Sequence, residues 1–403
     1  MKANFYRKVL KNGMTILFEK RDLPIVSVAF AFRNGGINES KEEKGISHFI
    51  EHMLYKGTPT RNSKKIAEEI EKKGGELNGF TSETITAYYC KIPSDHLNVA
   101  LEVLGDMVKN HLFNKKELDK ERKVIFEEIK MHKDNPRRHV FDEIQGLLYE
   151  EPLGLNFIGT HETMSSLTRE KLVQRFKEVY NPNNLILCVV GDANFDEIIK
   201  FAEKNFDNKK GKVPKFEIKL KNESKIEKRK GIDQANFILA YHSPLAGNKK
   251  VYASIVLSTI LGGGMSSRLF QEIREKKNLA YSIKGETDVN KDFAFSYIYV
   301  GSKKENVNKV KKLILKEFEK VSKELGEKEL SQVKKQLIGN HQIQMEDSQE
   351  QMANLLSWEI LRNAEDFYEF EKNIKNVKLK DVKDLAKKVK GKDYSFFALI
   401  PDD

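Results

Sequence analysis

The sequence of 403 residues follows one order of predicted elements twice, and this internal repeat constrains the fold more than any other feature. In the first half, a buried strand over residues 25–32 precedes a helix over residues 45–55. In the second half, a strand over residues 234–241 precedes a helix over residues 250–261. Because the parallel extends over most of the chain, we favour a duplication over a chance similarity of order, and we expect two units of similar architecture.

The remaining predicted elements follow the same parallel. The Asn12-Gly13 pair predicts a turn between two short strands. The other predicted elements are helices over residues 63–73, 94–111, 115–133, 266–276, 304–325 and 327–361, and strands within residues 76–92 and 281–300. Each half closes with a charged amphipathic helix and then an apolar strand, LTREKLVQRFKEVY before LILCVVGD and LKDVKDLAKKV before YSFFALIPD. Strands and helices therefore come partly in blocks, which predicts an α+β fold of two homologous halves, each a mostly antiparallel sheet with helices layered on one face.

A basic segment separates the two halves. Residues 208–231 hold ten Lys or Arg and three Glu, which accounts for +7 of the net charge of +11. The predicted division is therefore residues 1–207, a linker over residues 208–231, and residues 232–403. Because no base-stacking aromatic motif accompanies the basic residues, we expect a solvated connector and no nucleic-acid partner.

Composition also excludes several classes of protein. No stretch approaches the roughly 18–20 uninterrupted apolar residues of a spanning helix, and the opening MKANFYRKVLKNG lacks the apolar region of a signal peptide. We therefore expect a soluble, cytoplasmic protein with no membrane partner. The two cysteines, Cys90 and Cys188, form no CxxC pair, so we expect buried small apolar residues rather than a disulfide or a thiolate cluster.

The segment GISHFIEHMLYKGT carries the clearest chemical signal, an HxxEH sequence formed by His48, Glu51 and His52. Residues i and i+4 of a helix project from one face, so the two imidazoles can bind one cation. Glu51 flanks the same face and can reach a water molecule at the metal without being a ligand, as a general base must. A lone helical histidine is usually structural, but this spacing of three residues predicts a metal centre.

A catalytic zinc usually takes three protein ligands, so a further ligand should lie elsewhere in the chain. The helix KELDKERKVIFEEIKMHKD is the best candidate. Glu121 and Glu128 are seven residues apart and share one helix face, whereas Glu127 points about 100° away from Glu128 and His132 lies one turn beyond it. Periodicity alone does not separate Glu127, Glu128 and His132.

These residues resemble the pitrilysin or insulysin type of zinc peptidase, whose signature is HxxEH, and in particular its short-chain members akin to the mitochondrial processing peptidase. Glu128 follows His52 with 75 residues between them, which matches the spacing of the third ligand in that family. The resemblance implies that His48, His52 and Glu128 bind zinc (Zn²⁺) and that Glu51 is the general base. Glu121, seven residues before Glu128, matches a family glutamate that orients a ligating imidazole.

Another matching segment is GGELNGFTSETITAYY, which resembles the family's edge strand, with Asn78 at the usual asparagine position. The resemblance implies that this strand binds the backbone of an extended peptide, an interaction that gives affinity with loose sequence selectivity. Without the resemblance, Asn78-Gly79 would equally predict a hairpin turn.

In the second half, GGGMSSRLFQEIREKKNLAYS resembles the segment that carries the family's arginine and tyrosine, here Arg274 and Tyr281. The resemblance implies that Arg274 holds the substrate backbone and that Tyr281 stabilises the oxyanion. Without it, Arg274 would be an ordinary surface charge and Tyr281 a core aromatic residue. A phosphate loop at Gly262–Gly264 is not favoured, because no GK[ST] follows.

The family implies a zinc endopeptidase or oligopeptidase that hydrolyses unfolded peptides inside an enclosed chamber. Its short-chain members commonly act as dimers, so we expect a homodimer or a heterodimer with a related chain. The helix VYASIVLSTILGG lies where HxxEH lies in the first half but contains no His or Glu, so the second half should contact substrate without binding metal. The alternative is a noncatalytic partner subunit, since related subunits have lost the metal motif.

Overall fold

The computed structural model describes residues 4–391 and 393–402, which form two compact units. The first unit comprises Met1–Lys130, Leu155–Glu217 and Gln344–Phe367. The second unit comprises Met131–Gly154, Ile218–Ile343 and Tyr368–Asp403. Each unit therefore contains a segment from both halves of the sequence. Among the described residues, no helix combines the length and apolar character needed to cross a bilayer.

The strands lie close to the predicted positions, except that one of them falls within the predicted linker over residues 208–231. In chain order they are β1 (Asn4–Val9), β2 (Thr15–Lys20), β3 (Ile25–Phe32), β4 (Glu76–Thr81), β5 (Thr86–Pro93), β6 (Leu185–Gly191), β7 (Ser224–Arg229), β8 (Ala235–His242), β9 (Ala280–Val289), β10 (Ala294–Ser302) and β11 (Ser395–Pro401). The turn between β1 and β2 uses Gly13 at φ +89°, a conformation that favours glycine, as the Asn12-Gly13 pair predicts.

The helices come partly in blocks between these strands, as the sequence predicts. In chain order they are α1 (Ile46–Leu54), α2 (Ser63–Glu71), α3 (Leu97–Lys109), α4 (Lys115–Asp134), α5 (Pro136–Leu148), α6 (His161–Ser166), α7 (Arg169–Val179), α8 (Phe195–Asn205), α9 (Val251–Gly262), α10 (Val307–Glu324), α11 (Glu327–Gln344), α12 (Ser348–Leu361), α13 (Phe370–Lys375) and α14 (Leu379–Lys388). A π-helical turn, Phe270–Glu275, occupies part of the helix predicted over residues 266–276.

Five strands follow the same order in both sheets, and β1 is an additional edge strand of the first, which confirms the predicted α+β fold with two homologous halves. The sheet of the first unit has the order β1-β2-β6-β3-β5-β4, and that of the second unit has the order β7-β11-β8-β10-β9. In each sheet one pair is parallel, β2 with β6 and β7 with β11, and the other neighbours are antiparallel. The sheets are thus mostly antiparallel, as the sequence predicts.

Alternation along the central strand of the first sheet separates two covered faces. Val26, Val28 and Phe30 of β3 belong to the main apolar core with helices α1 and α3. On the opposite face, Ser27 Oγ lies 2.9 Å from Ser348 Oγ of α12. A helix from the second half of the sequence therefore covers the other face of the first sheet.

The second unit has the reciprocal arrangement. Helix α5, from the first half of the sequence, lies against β8 and β11. Its Phe141 ring stacks on Tyr299 at 5.6 Å between centroids, and its His139 ring meets Phe397 edge-on at 5.7 Å. These strand residues lie on the face opposite the core of the second unit, which contains Phe237 and Phe396.

Two predictions of local structure are wrong. The helix predicted over residues 327–361 is two helices, α11 and α12, because Asp347 Oδ1 accepts the backbone N–H groups of Gln349 and Glu350 and caps a new helix. The alternative hairpin turn at Asn78-Gly79 is also wrong, since both residues pair with β5 inside β4.

The basic segment over residues 208–231 contains β7, an edge strand whose charged side chains are partly paired with one another and with α5. Charged residues on an edge strand oppose pairing with other chains. Cys90 and Cys188 are both buried and unbonded to each other, as predicted, and burial raises the pKa of the Cys90 thiol to about 12. The division of the chain into residues 1–207, 208–231 and 232–403 stays a prediction.

Candidate metal centre

Helix α1 has an apolar face and a face that carries His48, Glu51 and His52. Phe49, Ile50 and Met53 lie in the core of the first unit. The helix starts after Gly45, which has φ +93°, and the buried carboxylate of Glu39 accepts the N–H groups of Gly45 at 2.9 Å and Ser47 at 2.8 Å. This carboxylate satisfies backbone donors that a helix start leaves unpaired and is favoured there by the helix dipole.

The structure brings His48 and His52 of α1 together with Glu128 of α4. The two Nε2 atoms lie 3.2 Å apart, and Glu128 Oε2 lies 3.4 Å from each of them. His48 is buried, and the other two side chains are partly exposed. Three potential ligand atoms therefore form a nearly equilateral triangle.

This triangle fits a tetrahedral zinc ion. Ligand atoms about 2.0–2.2 Å from a tetrahedral metal lie about 3.3–3.5 Å from one another, and two imidazole nitrogens with one carboxylate oxygen are a common donor set for catalytic zinc. Glu127, the neighbour that periodicity left open, is exposed, and His132 Nδ1 lies 3.5 Å from Asp142 instead. The structure thus groups Glu128 with the two histidines.

The outer nitrogen of His52 faces a second carboxylate. His52 Nδ1 lies 3.3 Å from Glu121 Oε2, and the other oxygen of Glu121 lies 2.6 Å from Lys56 Nζ. A carboxylate in this position accepts a hydrogen bond from Nδ1–H, which leaves the Nε2 lone pair directed at the triangle. His48 Nδ1 is buried without a hydrogen-bond partner among the described residues.

Electrostatics at the triangle favour a cation. Burial lowers the pKa of His52, but hydrogen bonds to Glu121 and Glu128 outweigh burial and raise that pKa to about 9. Hydrogen bonds from His48 and His52 hold the pKa of Glu128 well below its usual range. The carboxylates therefore stay ionised at neutral pH, and a bound metal ion would displace the proton from His52.

Glu51 lies on the same helix and faces strand β4. Thr81 Oγ1 donates a 2.8 Å hydrogen bond to Glu51 Oε2. A Cβ on Gly79 would lie 3.3 Å from Glu51 Oε1 and 2.4 Å from the Tyr55 hydroxyl, so only glycine allows this approach of strand and helix. The carboxylate of Glu51 is thus fixed beside the edge strand of the sheet.

The other predicted site residues lie at three exposed positions. Asn78 is on the edge strand β4, where its Oδ1 accepts the N–H of Gly79 at 2.9 Å. Arg274 lies on the π-helical turn of the second unit, with its guanidinium carbon 4.7 Å from the centroid of the Phe270 ring. Tyr281, the second residue of β9, has 47% of its surface exposed, so it is not a core residue.

A second cluster of candidate metal ligands lies in the second unit. His139 and Glu143 of α5 and Glu227 of β7 place one ligand atom each within 4.8 Å of one another. Here, however, Lys225 Nζ lies 2.6 Å from Glu143 Oε2, and Arg229 lies 2.9 Å from Glu227 Oε1. Protein cations already compensate both carboxylates, so this cluster is an ion-pair network that holds α5 to β7.

Sequence reasoning missed several residues that fix the centre. Lys56 follows His52 by four residues and therefore lies on the same side of the chain at the end of α1, a spacing that could have indicated its contact with Glu121. Thr81 follows Gly79 by two residues on β4, so both face α1. No local pattern indicates the contact of Glu39 with the start of α1, since it depends on the path of the connection after β3.

The sequence profile described as Insulinase (Peptidase family M16) matches residues 15–161, and the profile described as Peptidase M16 inactive domain matches residues 166–337. The uncharacterized zinc protease YmxG of Bacillus subtilis is 33% identical over 401 residues, which are 98% of each chain. An uncharacterized zinc protease of Rickettsia felis is 35% identical over 344 residues, 84% of each chain. A crystal structure of a protease from Helicobacter pylori has the same fold, with a TM-score of 0.92 and 23% identity over 99% of this chain and 100% of that one.

Proposed function

The chain belongs to the insulinase family, peptidase family M16, and from that membership we propose that it is a zinc-dependent peptidase acting on unfolded peptides. The observation that carries the proposal is the triangle of His48, His52 and Glu128, with sides of 3.2–3.4 Å, together with Glu51 on the helix that carries the two histidines. Relatives that carry the description zinc protease support the same metal and reaction.

In the proposed mechanism, His48, His52 and Glu128 hold the zinc ion, and Glu121 fixes the tautomer of His52. When bound, zinc supplies Lewis-acid polarisation and lowers the pKa of a water molecule towards about 7. Glu51 accepts a proton from the attacking water and later donates it to the leaving amine. The hydrogen bond from Thr81 holds the Glu51 carboxylate in one orientation for both transfers.

The substrate backbone is proposed to bind along β4. This strand has a partner on one side only, so its outer edge offers unpaired N–H and C=O groups to an extended peptide. Asn78 lies on this strand and Glu51 faces it, so a peptide added there would run beside the proposed base. Main-chain pairing explains how the enzyme would accept many unfolded sequences.

Arg274 and Tyr281 are proposed to contact the substrate backbone and the oxyanion, respectively. Both side chains are about half exposed, which leaves the guanidinium and the hydroxyl available to a ligand. We propose that the active form is a dimer of this chain or a heterodimer with a related chain. A mixture of Arg274→Ala and Glu51→Gln variants should regain activity only if one chain supplies Arg274 to the zinc site of the other.

The test of the proposed reaction is digestion of a mixed peptide library with and without 1,10-phenanthroline. We expect the wild type to cleave peptides and the chelator to stop cleavage. Glu51→Gln should keep zinc but lower kcat/KM by about 10²–10⁴-fold, because it removes only the proton transfer. Glu71→Gln, on the exposed side of α2, is the matched control and should retain activity.

Normal cleavage by Glu51→Gln would exclude Glu51 as the base. If the wild type binds zinc but cleaves no peptide in the library, a noncatalytic partner subunit becomes the better assignment. The match of residues 166–337 to a profile described as an inactive domain does not favour that alternative, because the three candidate ligands lie in the part of the chain that precedes it.

A further inference from the structure

A cavity of about 680 Å³ lies in the second unit, apart from any of the residues proposed for the reaction. The end of β8 and the connection that follows it line one side of the cavity, through Tyr241 and Lys250. The C-terminal end of α14 and the residues after it line the other side, through Lys387, Lys388 and Lys390. Its volume is within the range of about 300–1,000 Å³ that small-molecule sites occupy.

The cavity arises where the two units differ in chain length. In the first unit, residues 33–45 connect β3 to α1, which makes thirteen residues, whereas residues 243–250 connect β8 to α9, which makes eight. The longer connection places Glu39 at the start of α1, and its Asn38 carbonyl and Glu43 carboxylate accept hydrogen bonds from Arg175 of α7. Helix α14 corresponds to α7 in the repeat, and the shorter connection lines the cavity beside α14 through Ser243 and Lys250.

The shorter connection also brings no acid to the start of its helix. Its sequence, SPLAGNKK, contains no Asp or Glu, and the side chain that accepts a backbone N–H at the start of α9 is the uncharged amide of Asn248, 2.9 Å from Lys250 N. In the first unit, the carboxylate of Glu39 accepts two backbone N–H groups at the corresponding helix start. The start of α9 in the second unit therefore has no carboxylate that corresponds to Glu39 at the start of α1.

Positive charge outweighs negative charge around the cavity. Four lysines line it, at positions 250, 387, 388 and 390, against two aspartates, at positions 384 and 393, which gives a net +2. Among the described residues, no carboxylate lies within ion-pair distance of Lys387, Lys388 or Lys390, and Lys250 lies 3.9 Å from Asp381. An anion would therefore gain several cations that are not already paired.

A buried hydroxyl on the cavity wall independently indicates a polar ligand. Tyr241 is 95% buried, because only 5% of its surface is exposed, and among the described residues its hydroxyl has no hydrogen-bond partner. Ser296, which lies close to it, is already hydrogen-bonded to Ser243 at 2.7 Å and Thr287 at 2.8 Å. An unpaired buried hydroxyl is costly, and a ligand oxygen in the cavity would satisfy it.

We propose that this cavity binds a small molecule that carries an oxyanion, either a carboxylate or a phosphate group. The lysines neutralise the charge of the oxyanion, and the Tyr241 hydroxyl donates a hydrogen bond to it. The ligand would supply to the second unit an anion of the kind that Glu39 supplies to the first. This site is separate from the peptidase proposal and does not depend on it.

The test is isothermal titration of the intact protein with inorganic phosphate and, separately, with sodium acetate, each compared with sodium chloride at equal ionic strength. We expect saturable binding of at least one of the two oxyanions, and the tighter one identifies the group as phosphate or carboxylate. Lys387→Gln should weaken that binding by at least about tenfold, because it removes one charge-assisted contact. Lys380→Gln, an exposed lysine on the same helix outside the cavity, should change it by less than about twofold.

Tyr241→Phe separates a ligand contact from a structural role. Because no described residue lies in hydrogen-bond geometry with the hydroxyl, its removal should not lower the melting temperature of the free protein, yet it should weaken oxyanion binding. If neither phosphate nor acetate released or absorbed more heat on titration than sodium chloride, the proposal would be overturned. So would equal weakening by Lys380→Gln and Lys387→Gln, or unchanged affinity in Tyr241→Phe.

Discussion

Five strands follow the same order in both units, but the helices after the corresponding strands β3 and β8 differ in their side chains. Counted from the first residue of the helix, His48, Glu51 and His52 occupy the third, sixth and seventh positions of α1. Helix α9 has Ala253, Val256 and Leu257 at those positions, all within the apolar core. The comparison teaches that one scaffold accepts either a polar face, here the candidate metal centre, or a fully buried face, and that the two helices differ there in a few side chains.

The largest expected effect tests the metal-binding side of this comparison. Glu128→Ala removes one corner of the triangle, so we expect zinc to be lost on dialysis and kcat/KM to fall by at least about 10³-fold. Glu127→Ala, one residue earlier and exposed, should retain both. Elemental analysis with a peptide assay measures this pair, and full zinc occupancy in Glu128→Ala would exclude Glu128 as a ligand.

A mutation in α9 tests the other side. Leu257 is completely buried, so Leu257→Ala should lower the free energy of unfolding by about 2–5 kcal/mol through lost transfer energy and a residual cavity. Zinc content per folded molecule should not change, since α9 provides no ligand. Urea denaturation followed by circular dichroism, with metal analysis of the native fraction, measures both quantities. Loss of zinc from folded Leu257→Ala would contradict the division of roles between the helices.

Glu121→Gln tests the support behind the metal triangle. The amide can no longer accept a charge-assisted hydrogen bond from His52 Nδ1, and Lys56 loses its ion-pair partner. We expect zinc affinity to fall by about 10–100-fold in competition with a fluorescent chelator. Glu117→Gln, one turn earlier on α4, is the control. Unchanged affinity would show that Glu121 does not orient the imidazole.

Glu39→Gln has the smallest expected effect and tests the difference between the helix starts. The amide keeps one acceptor oxygen but leaves one of the N–H groups of Gly45 and Ser47 unsatisfied, so the free energy of unfolding should fall by about 1–2 kcal/mol. Hydrogen exchange should quicken at α1 and not at α9, whose first turn has no such cap. Glu42→Gln, in the same connection and exposed, is the control, and equal destabilisation there would remove the special role of Glu39.

The sequence predicted much of the architecture because local periodicity determines which segments form strands and helices. It placed β3 at the observed residues and predicted α1, α4 and the paired closing elements of each half. It also selected His48, Glu51 and His52 as candidate site residues, since their spacing is a property of one helix. The resemblance to the family, rather than periodicity, singled out Glu128.

The misses depend on information that local patterns contain weakly or not at all. Helix α5 was not predicted, although Asn135, which accepts the N–H of Arg138, and Pro136 at the first helical position are start signals. The break between α11 and α12 depends on Asp347 as a cap within an otherwise helical stretch. No local pattern could indicate that α5 and α12 lie on the sheet formed mainly by the opposite half, because such packing joins residues distant in sequence.

The reciprocal placement of α5 and α12 has a consequence for splitting the gene. A cut within the basic segment over residues 208–231 would give two fragments, each of which carries a helix that belongs to the other fragment's sheet. Each fragment alone would expose one apolar sheet face and an orphaned helix, which favours aggregation. Co-expression of both pieces should instead restore soluble protein by complementation, so the duplicated halves have become mutually dependent.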